Sequence, residues 1–245
     1  MIGGKIMAIL FHPDPLTEVC KLYPVLKGLG IDFHNYKTKP FDLFIYWSYH
    51  KSIAEQDEFT LVTSGLNKGC FDVSKTKINE VFDNIIVNPE TYSGVVVRKT
   101  ELQCSLDEVV LQCPTTKQDG YIYRKFIDTF ENEKPTDLRL FYFGEIKFIC
   151  KKTYLGAMFD RHNYIWEPQP LFTIPIWKRQ EIETKCKSYG FDIGEIDVLK
   201  DSNTGECFVI DINNVSGIAY NWNFKEYKWL RNLFEKETDK YFKSL

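Results

Sequence analysis

Residues 188–217, SYGFDIGEIDVLKDSNTGECFVIDINNVSG, decide the fold. The stretch opens on a helix tail broken by Gly190. Two apolar runs follow, 193–199 and 207–212. Between them lie Asp201, Asn203 and Gly205, the residues a hairpin turn demands. Acids interrupt both runs: Asp197 in the first and Asp211 in the second, with Asn213 two residues on. Side chains alternate faces along a strand, so Asp211 and Asn213 share one. Folding about the turn puts Asp197 opposite Val209 and diagonal to Asp211, within reach of one cation. Three hard oxygen ligands from neighbouring strands suit Mg²⁺. A hairpin with a wet face would carry such groups merely solvated. The Asp-Ile-Asn end favours the metal, because it sits between a fully apolar run and a Gly-containing loop.

The pattern G-E-I-D-V-L-K-D, a short turn, then F-V-I-D-I-N resembles the last core motif of the ATP-grasp family. There, an acid on one strand and an acid-x-Asn on the next hold the magnesium ions of ATP. The family usually has Glu where this chain has Asp211; Asp keeps the charge and shortens the reach. The resemblance spans residues 65–235 and implies an α/β (α+β) ATP-grasp fold. Two α+β lobes with antiparallel sheets would hold ATP between them, preceded by a small truncated α/β module. The implied bounds are 1–66 for the module and 67–245 for the ATP-grasp domain. Within the latter, 67–128 is the smaller nucleotide lobe and 129–245 the larger lobe with the metal site.

The composition agrees with a globular chain: 245 residues, 44% hydrophobic and 27% charged, enough for one large domain or two small ones. The net charge of −3 and the lack of a long basic block argue against nucleic acid as a partner. Seven cysteines without a C-x-x-C pair read as reduced thiols of a cytoplasmic protein, not a disulfide frame or zinc site. No apolar run approaches membrane-spanning length, and the N-terminus reads as a first strand rather than a signal peptide.

In chain order, residues 5–11 predict a strand, 16–29 an amphipathic helix, and 31–36 and 41–47 two further strands. His12 and Asp14 would lie at the carboxyl end of the first strand, where open α/β sheets bind ligands; a loop histidine without a task is the alternative. Residues 59–63 suggest another strand and 71–82 a helix capped by Asp72 or Ser74. Two strands are expected at 108–113 and 121–127, and a hairpin over 137–152 about a Gly-Glu turn. The aromatic, proline-rich stretch 163–175 reads as an irregular loop, 176–189 as a helix, and 224–245 as a terminal helix with Tyr227, Leu230, Phe234 and Phe242 facing a core.

The resemblance assigns the remaining site residues. Lys75 on the 71–82 helix would reach the nucleotide phosphates, with Lys77 as the fallback. Lys99, after Val95-Val96-Val97, matches the strand-end lysine that contacts phosphate. The family follows that lysine with a glycine-rich loop, whereas residues 101–108 read ELQCSLDE. The segment 121–128, YIYRKFID, would be the adenine hinge, with Lys125, Phe126 and Ile127 on the base and Asp128 on the ribose. Arg139, in step with Phe141 and Phe143, wants an anionic partner, either Asp137 or a phosphate. Arg139, Lys151 and Arg161 would steady an acyl phosphate, with Lys152 adding to the basic supply.

Cations for the transferring group and acids for the metal are what phosphoryl transfer requires. The implied activity is that of an ADP-forming ligase. It activates a carboxylate as an acyl phosphate and joins it to an amine or similar nucleophile. ATP and one or two Mg²⁺ ions, with Mn²⁺ as a substitute, would be the cofactors. Small carboxylate and amine molecules would be the partners, with no membrane and no nucleic acid; relatives of this kind are often homodimers. Two other readings stay open: a kinase on the same scaffold, and a nucleotide-binding module without turnover.

Overall fold

The computed structural model describes residues 8–48, 58–83, 85–101, 107–156, 163–214 and 227–245. The chain starts with β1 (Ala8–Pro13), α1 (Leu22–Gly28), β2 (Asp32–His34) and β3 (Leu43–Trp47), whose strands form a parallel sheet in the order β2-β1-β3. The helix is shorter than the apolar stripe over 16–29, yet Leu16 and Cys20 still point into the core. Next comes α2 (Glu58–Val62), a helix where a strand was expected over 59–63. Phe59 packs on Phe41 and Phe44, and Thr60 is buried, while Leu61 and Val62 are 58% and 76% exposed. Two inward residues followed by two outward ones fit a helical turn, not an alternating strand.

The helix α3 (Lys75–Val81) begins at Ser74, whose side chain accepts the Lys77 N–H at 3.2 Å; of the two expected caps, Ser74 serves. Three antiparallel strands follow: β4 (Gly94–Thr100), β5 (Val109–Cys113) and β6 (Tyr121–Lys125), in the order β5-β4-β6. Thus β5 and β6 flank β4 rather than pairing with each other.

The large sheet contains β7 (Phe130–Glu131), β8 (Lys134–Phe143), β9 (Ile146–Tyr154) and β10 (Tyr164–Gln169). After α4 (Ile176–Tyr189) come β11 (Ile193–Lys200) and β12 (Cys207–Asn213), and α5 (Lys228–Ser244) ends the described chain. The strand order is β10-β9-β8-β11-β12, with β7 paired to β8. The β8–β9 turn uses Gly144 at φ +68°, and α4 stops at Gly190, left-handed at φ +72°. The strand β10 replaces the irregular loop expected over 163–175. Its Pro168 is tolerated because β10 is an edge strand, free of a ladder on one side.

The large sheet has two differently covered faces. Leu138, Leu140, Tyr142, Ile149, Ile196 and Ile212 point to one face and pack beneath α4 and α3, with Ile182, Cys186 and Ile78. The helix α3 therefore packs with the larger sheet, although its sequence lies within the 67–128 segment. The other face is split. Its far half, with Phe141, Phe143, Phe148 and Ile193, shares one core with Phe11, Leu26 and Trp47 of the N-terminal sheet and with Leu230, Phe234 and Phe242 of α5. Its near half is charged and faces the β4–β6 sheet. Among the described residues no helix is long and apolar enough to cross a membrane.

Candidate functional site

The charged half-face depends on one irregularity in the β11–β12 hairpin. Asp197 pairs directly with Asp211, and Val198 with Val209, so Ile210 is an extra residue. This corrects the expected register, in which Asp197 lay opposite Val209. Without the bulge Asp211 would share the face of Val209, which is buried in the core under α3 and α4. The bulge shifts the phase and turns Asp211 into the cleft beside Ile210. The bulged residue's carbonyl accepts a 2.7 Å hydrogen bond from Arg124 Nη2 of β6, which ties the two sheets together across the cleft.

Asp197 and Asp211 belong to one charge network. Arg139 Nε and Nη2 grip Asp197 bidentately at 2.7 and 2.9 Å, and its Nη1 donates to Glu195 Oε2 at 2.8 Å. Glu195 is fully buried and also receives Lys21, at the start of α1, at 2.6 Å. Asn213 Nδ2 adds a 3.3 Å contact to Asp197. Burial pushes the Asp197 carboxyl up, but the Arg139 guanidinium wins and holds it below the usual range. Glu195 is likewise held low by Lys21 and Arg139 against its burial. Asp211 differs. Burial raises its pKa, Asp197 raises it further, and Arg124, Lys75 and Lys99 pull only partly against this. Its Oδ1 is buried and has no hydrogen-bond partner.

Cations line the opposite wall. Lys99 leaves β4, and its ammonium meets Glu108 at 2.5 Å. Lys75 is buried and donates to the Glu101 carbonyl at 3.0 Å; burial and the nearby Lys99 lower it to about 8. Lys125, Phe126 and Ile127 border the cleft with Lys99, Arg124 and Asp211. The N–H groups of Lys125 and Phe126 are engaged by the Ile85 and Val95 carbonyls at 2.9 and 3.0 Å. Asp128 is not a cleft-lining residue. Its carboxylate accepts the Phe130 N–H and the Asn203 side chain at 3.1 Å each, and fastens the end of the 121–128 segment to the β11–β12 turn.

At the far end the basic residue facing the cleft is Lys152, not Lys151. The β8–β9 register pairs Asp137 with Lys152 and Arg139 with Cys150, so Lys152 shares the face of Arg139. Lys151 points the other way, into ion pairs with Glu131 and Glu167 at 3.1 and 3.3 Å. Lys152 lies 2.9 Å from the Tyr154 hydroxyl and against the rings of Tyr154, Tyr164 and Trp166. Tyr154 in turn donates to Asp137. Burial raises the Asp137 carboxyl while Lys152 opposes it. Arg161 lies outside the described residues.

Sequence reasoning passed over Arg124, Glu108, Tyr154, Glu195 and Lys21. Arg124 carried a signal: it lies in step with the buried Ile122, on the same face of β6. Lys21 and Glu195, far apart in the chain, carried none. Among the described residues no group of three or more His, Cys, Asp or Glu could hold a metal. The candidate set here is two carboxylates and an amide. The orphaned Oδ1 of Asp211, hard oxygen chemistry and a shared face with Asn213 fit a magnesium ion.

No protein-family model matches the chain, and no curated protein matches it in sequence. Solved structures match it in fold. The ATP-grasp ligase PsnB, complexed with a phosphomimetic variant of its minimal precursor, Mg and ADP, is 9% identical over 97% of this chain and 99% of its own, with a TM-score of 0.62. D-alanine–D-alanine ligase from Bacillus anthracis is 12% identical over 96% and 98%, at 0.52. The D-cycloserine synthetase DcsG is 13% identical over 94% and 99%, also at 0.52. Identities this low speak for the backbone arrangement, and that arrangement is two sheets of the described order closing on one charged cleft. The chain has the ATP-grasp fold.

Proposed function

We propose that the protein is an ATP- and Mg²⁺-dependent ligase. It converts a substrate carboxylate to an acyl phosphate, releases ADP, and lets an amine or similar nucleophile displace phosphate. One observation carries this reading: Asp211, whose Oδ1 is buried without a hydrogen-bond partner, lies in a cleft with Lys99 and Arg124, and Lys75 acts on it electrostatically. Acids for a metal and cations for phosphates, in one cleft, are the electrostatics of phosphoryl transfer. Support also comes from neighbours whose names state ligation, among them PsnB complexed with Mg and ADP.

Asp211 and Asn213, with Asp197, would hold Mg²⁺, which supplies positive charge to the phosphate oxygens when bound. Lys75 and Lys99 neutralise the polyphosphate. The carbonyls of 125–127 and the Ile127 N–H read the base. Arg139 and Lys152, on adjacent strands and one face, hold the carboxylate being activated and the acyl phosphate it becomes. The rings of Tyr154, Tyr164 and Trp166 exclude water from that end. The acceptor's class is a small amine or the amine or hydroxyl of a peptide; two neighbours are named as complexes with precursor peptides.

The test is turnover. ATP, Mg²⁺ and pools of carboxylates and amines, including short peptides, are incubated with the protein. A ligase gives ADP, free phosphate and a conjugate heavier by the acceptor minus water. A stable phosphorylated product without free phosphate would assign a kinase instead. Absence of ADP across all pools, with nucleotide bound, would assign a binding module.

A further inference from the structure

Glu108, the ion-pair partner of Lys99, has no part in the chemistry above, yet it lines the nucleotide end of the cleft. Its ammonium and carboxylate are 2.5 Å apart, with side chains 10% and 8% exposed, and both residues line the cleft. Glu108 directly precedes β5, whose Val109 pairs with Arg98 beside Lys99. The adjacent acid is used differently: Asp107 accepts the Thr100 N–H at 3.0 Å and its hydroxyl at 3.3 Å. Lys75 is also met by an oxygen of this connection, the Glu101 carbonyl at 3.0 Å. The Glu101 carboxylate accepts from the Thr76 N–H and hydroxyl at 2.9 and 3.1 Å. The two lysines assigned to phosphates thus face protein oxygens where phosphate oxygens are expected.

We propose that Glu108 is an internal stand-in for a nucleotide phosphate: it occupies Lys99 until a polyphosphate displaces it, and so sets how tightly the cleft takes one. This rests on the nucleotide reading given above. A lysine buried to this degree without a counter-charge is costly, and Glu108 removes that cost. The exchange is then ion pair for ion pair. Lys99 contributes little net attraction to the nucleotide, and the anionic oxygens of carboxylate and phosphate make it a like-for-like substitution. No covalent bond forms or breaks. If Glu108 instead aims Lys99 for catalysis, its loss has the opposite sign.

The experiment is calorimetric binding of ADP, ATP and adenosine, with Mg²⁺, to the native chain, Glu108→Gln, Glu108→Asp and Asp107→Asn. Glu108→Gln should tighten ADP and ATP about tenfold, the scale of one charge-assisted hydrogen bond, and leave adenosine unchanged. Glu108→Asp keeps the charge but withdraws the oxygens, so it should tighten ADP by a smaller factor. It also serves if the Gln variant does not fold. Asp107→Asn should change nothing. With native binding intact, weaker or unchanged ADP binding in the Glu108 variants overturns this inference alone. Equal tightening in Asp107→Asn overturns it as well, since the effect would then be general charge. Failure of the native chain to bind any nucleotide overturns both this inference and the function on which it rests.

Discussion

Replacing Arg139 by Met removes three hydrogen bonds, at 2.7, 2.8 and 2.9 Å, from two buried carboxylates and keeps an apolar stem in place. Glu195 retains Lys21 at 2.6 Å. Asp197 retains only the 3.3 Å contact to Asn213 among its hydrogen bonds described here. Breaking one partner of a buried ion pair costs about 3–5 kcal/mol, a large part of the 5–15 kcal/mol that holds a typical domain folded. The pH dependence supplies a second readout. In the native chain Asp197 and Glu195 titrate below their unfolded values. Their contribution is complete above the unfolded values of about 3.9 and 4.3 and is lost as pH falls through the folded ones. In Arg139→Met, burial acts on Asp197 with only Lys152 and Asn213 left against it, so its pKa rises and protonation favours the folded state. Urea unfolding at pH 7 should therefore show the full loss, and the gap to the native chain should narrow as pH falls from about 6 toward 4. A gap below about 1 kcal/mol at pH 7, or one that does not change with pH, would refute the network as described.

Two further substitutions test the placement of side chains. Lys152→Ala should lower turnover by about a hundredfold, the scale for losing one oriented donor to a transition state. Lys151→Ala should leave turnover intact and change stability by about 1 kcal/mol or less in denaturant unfolding; equal effects of the two would mean that the β9 faces are assigned the wrong way round. Gly190→Ala adds a Cβ 2.9 Å from the Gly69 backbone nitrogen at a φ of +72°. It should cost about 2–3 kcal/mol from strain and crowding together, and a thermal midpoint shifted by less than about 2 °C would argue against the close helix-end contact.

What was legible in the sequence follows from what leaves a periodic mark. The hairpins at 137–152 and 193–213, the helix α4 and the stripe of α5 were readable because turn residues and apolar spacing both declare them. Lys75, on a helix, and Lys99 were named through the family resemblance, whereas Asp197, Asp211 and Arg139 could be named because charges on apolar strands stand out. Their mutual placement could not, because the bulge at Ile210 inserts an ordinary apolar residue with no Gly or Pro to announce it. The sequence reading named Lys151 rather than Lys152 for a related reason. Alternation gives two faces but not which one looks inward, and the cross-strand partner Asp137 decides it. Lys21–Glu195 spans 174 positions and depends on how the first module docks on the large sheet, which no local pattern encodes. The strand β10 was obscured by Pro168, whose breaking effect is cancelled at a sheet edge.

The central claim is that Asp211, whose Oδ1 has no hydrogen-bond partner, is where a metal-bound nucleotide is held. Calorimetry of ATP binding to the native chain and to Asp211→Ala, each with and without Mg²⁺, tests it most directly. The account predicts binding that tightens strongly with Mg²⁺ in the native chain and responds little to the metal in Asp211→Ala. Binding that is indifferent to both the metal and the substitution would contradict it.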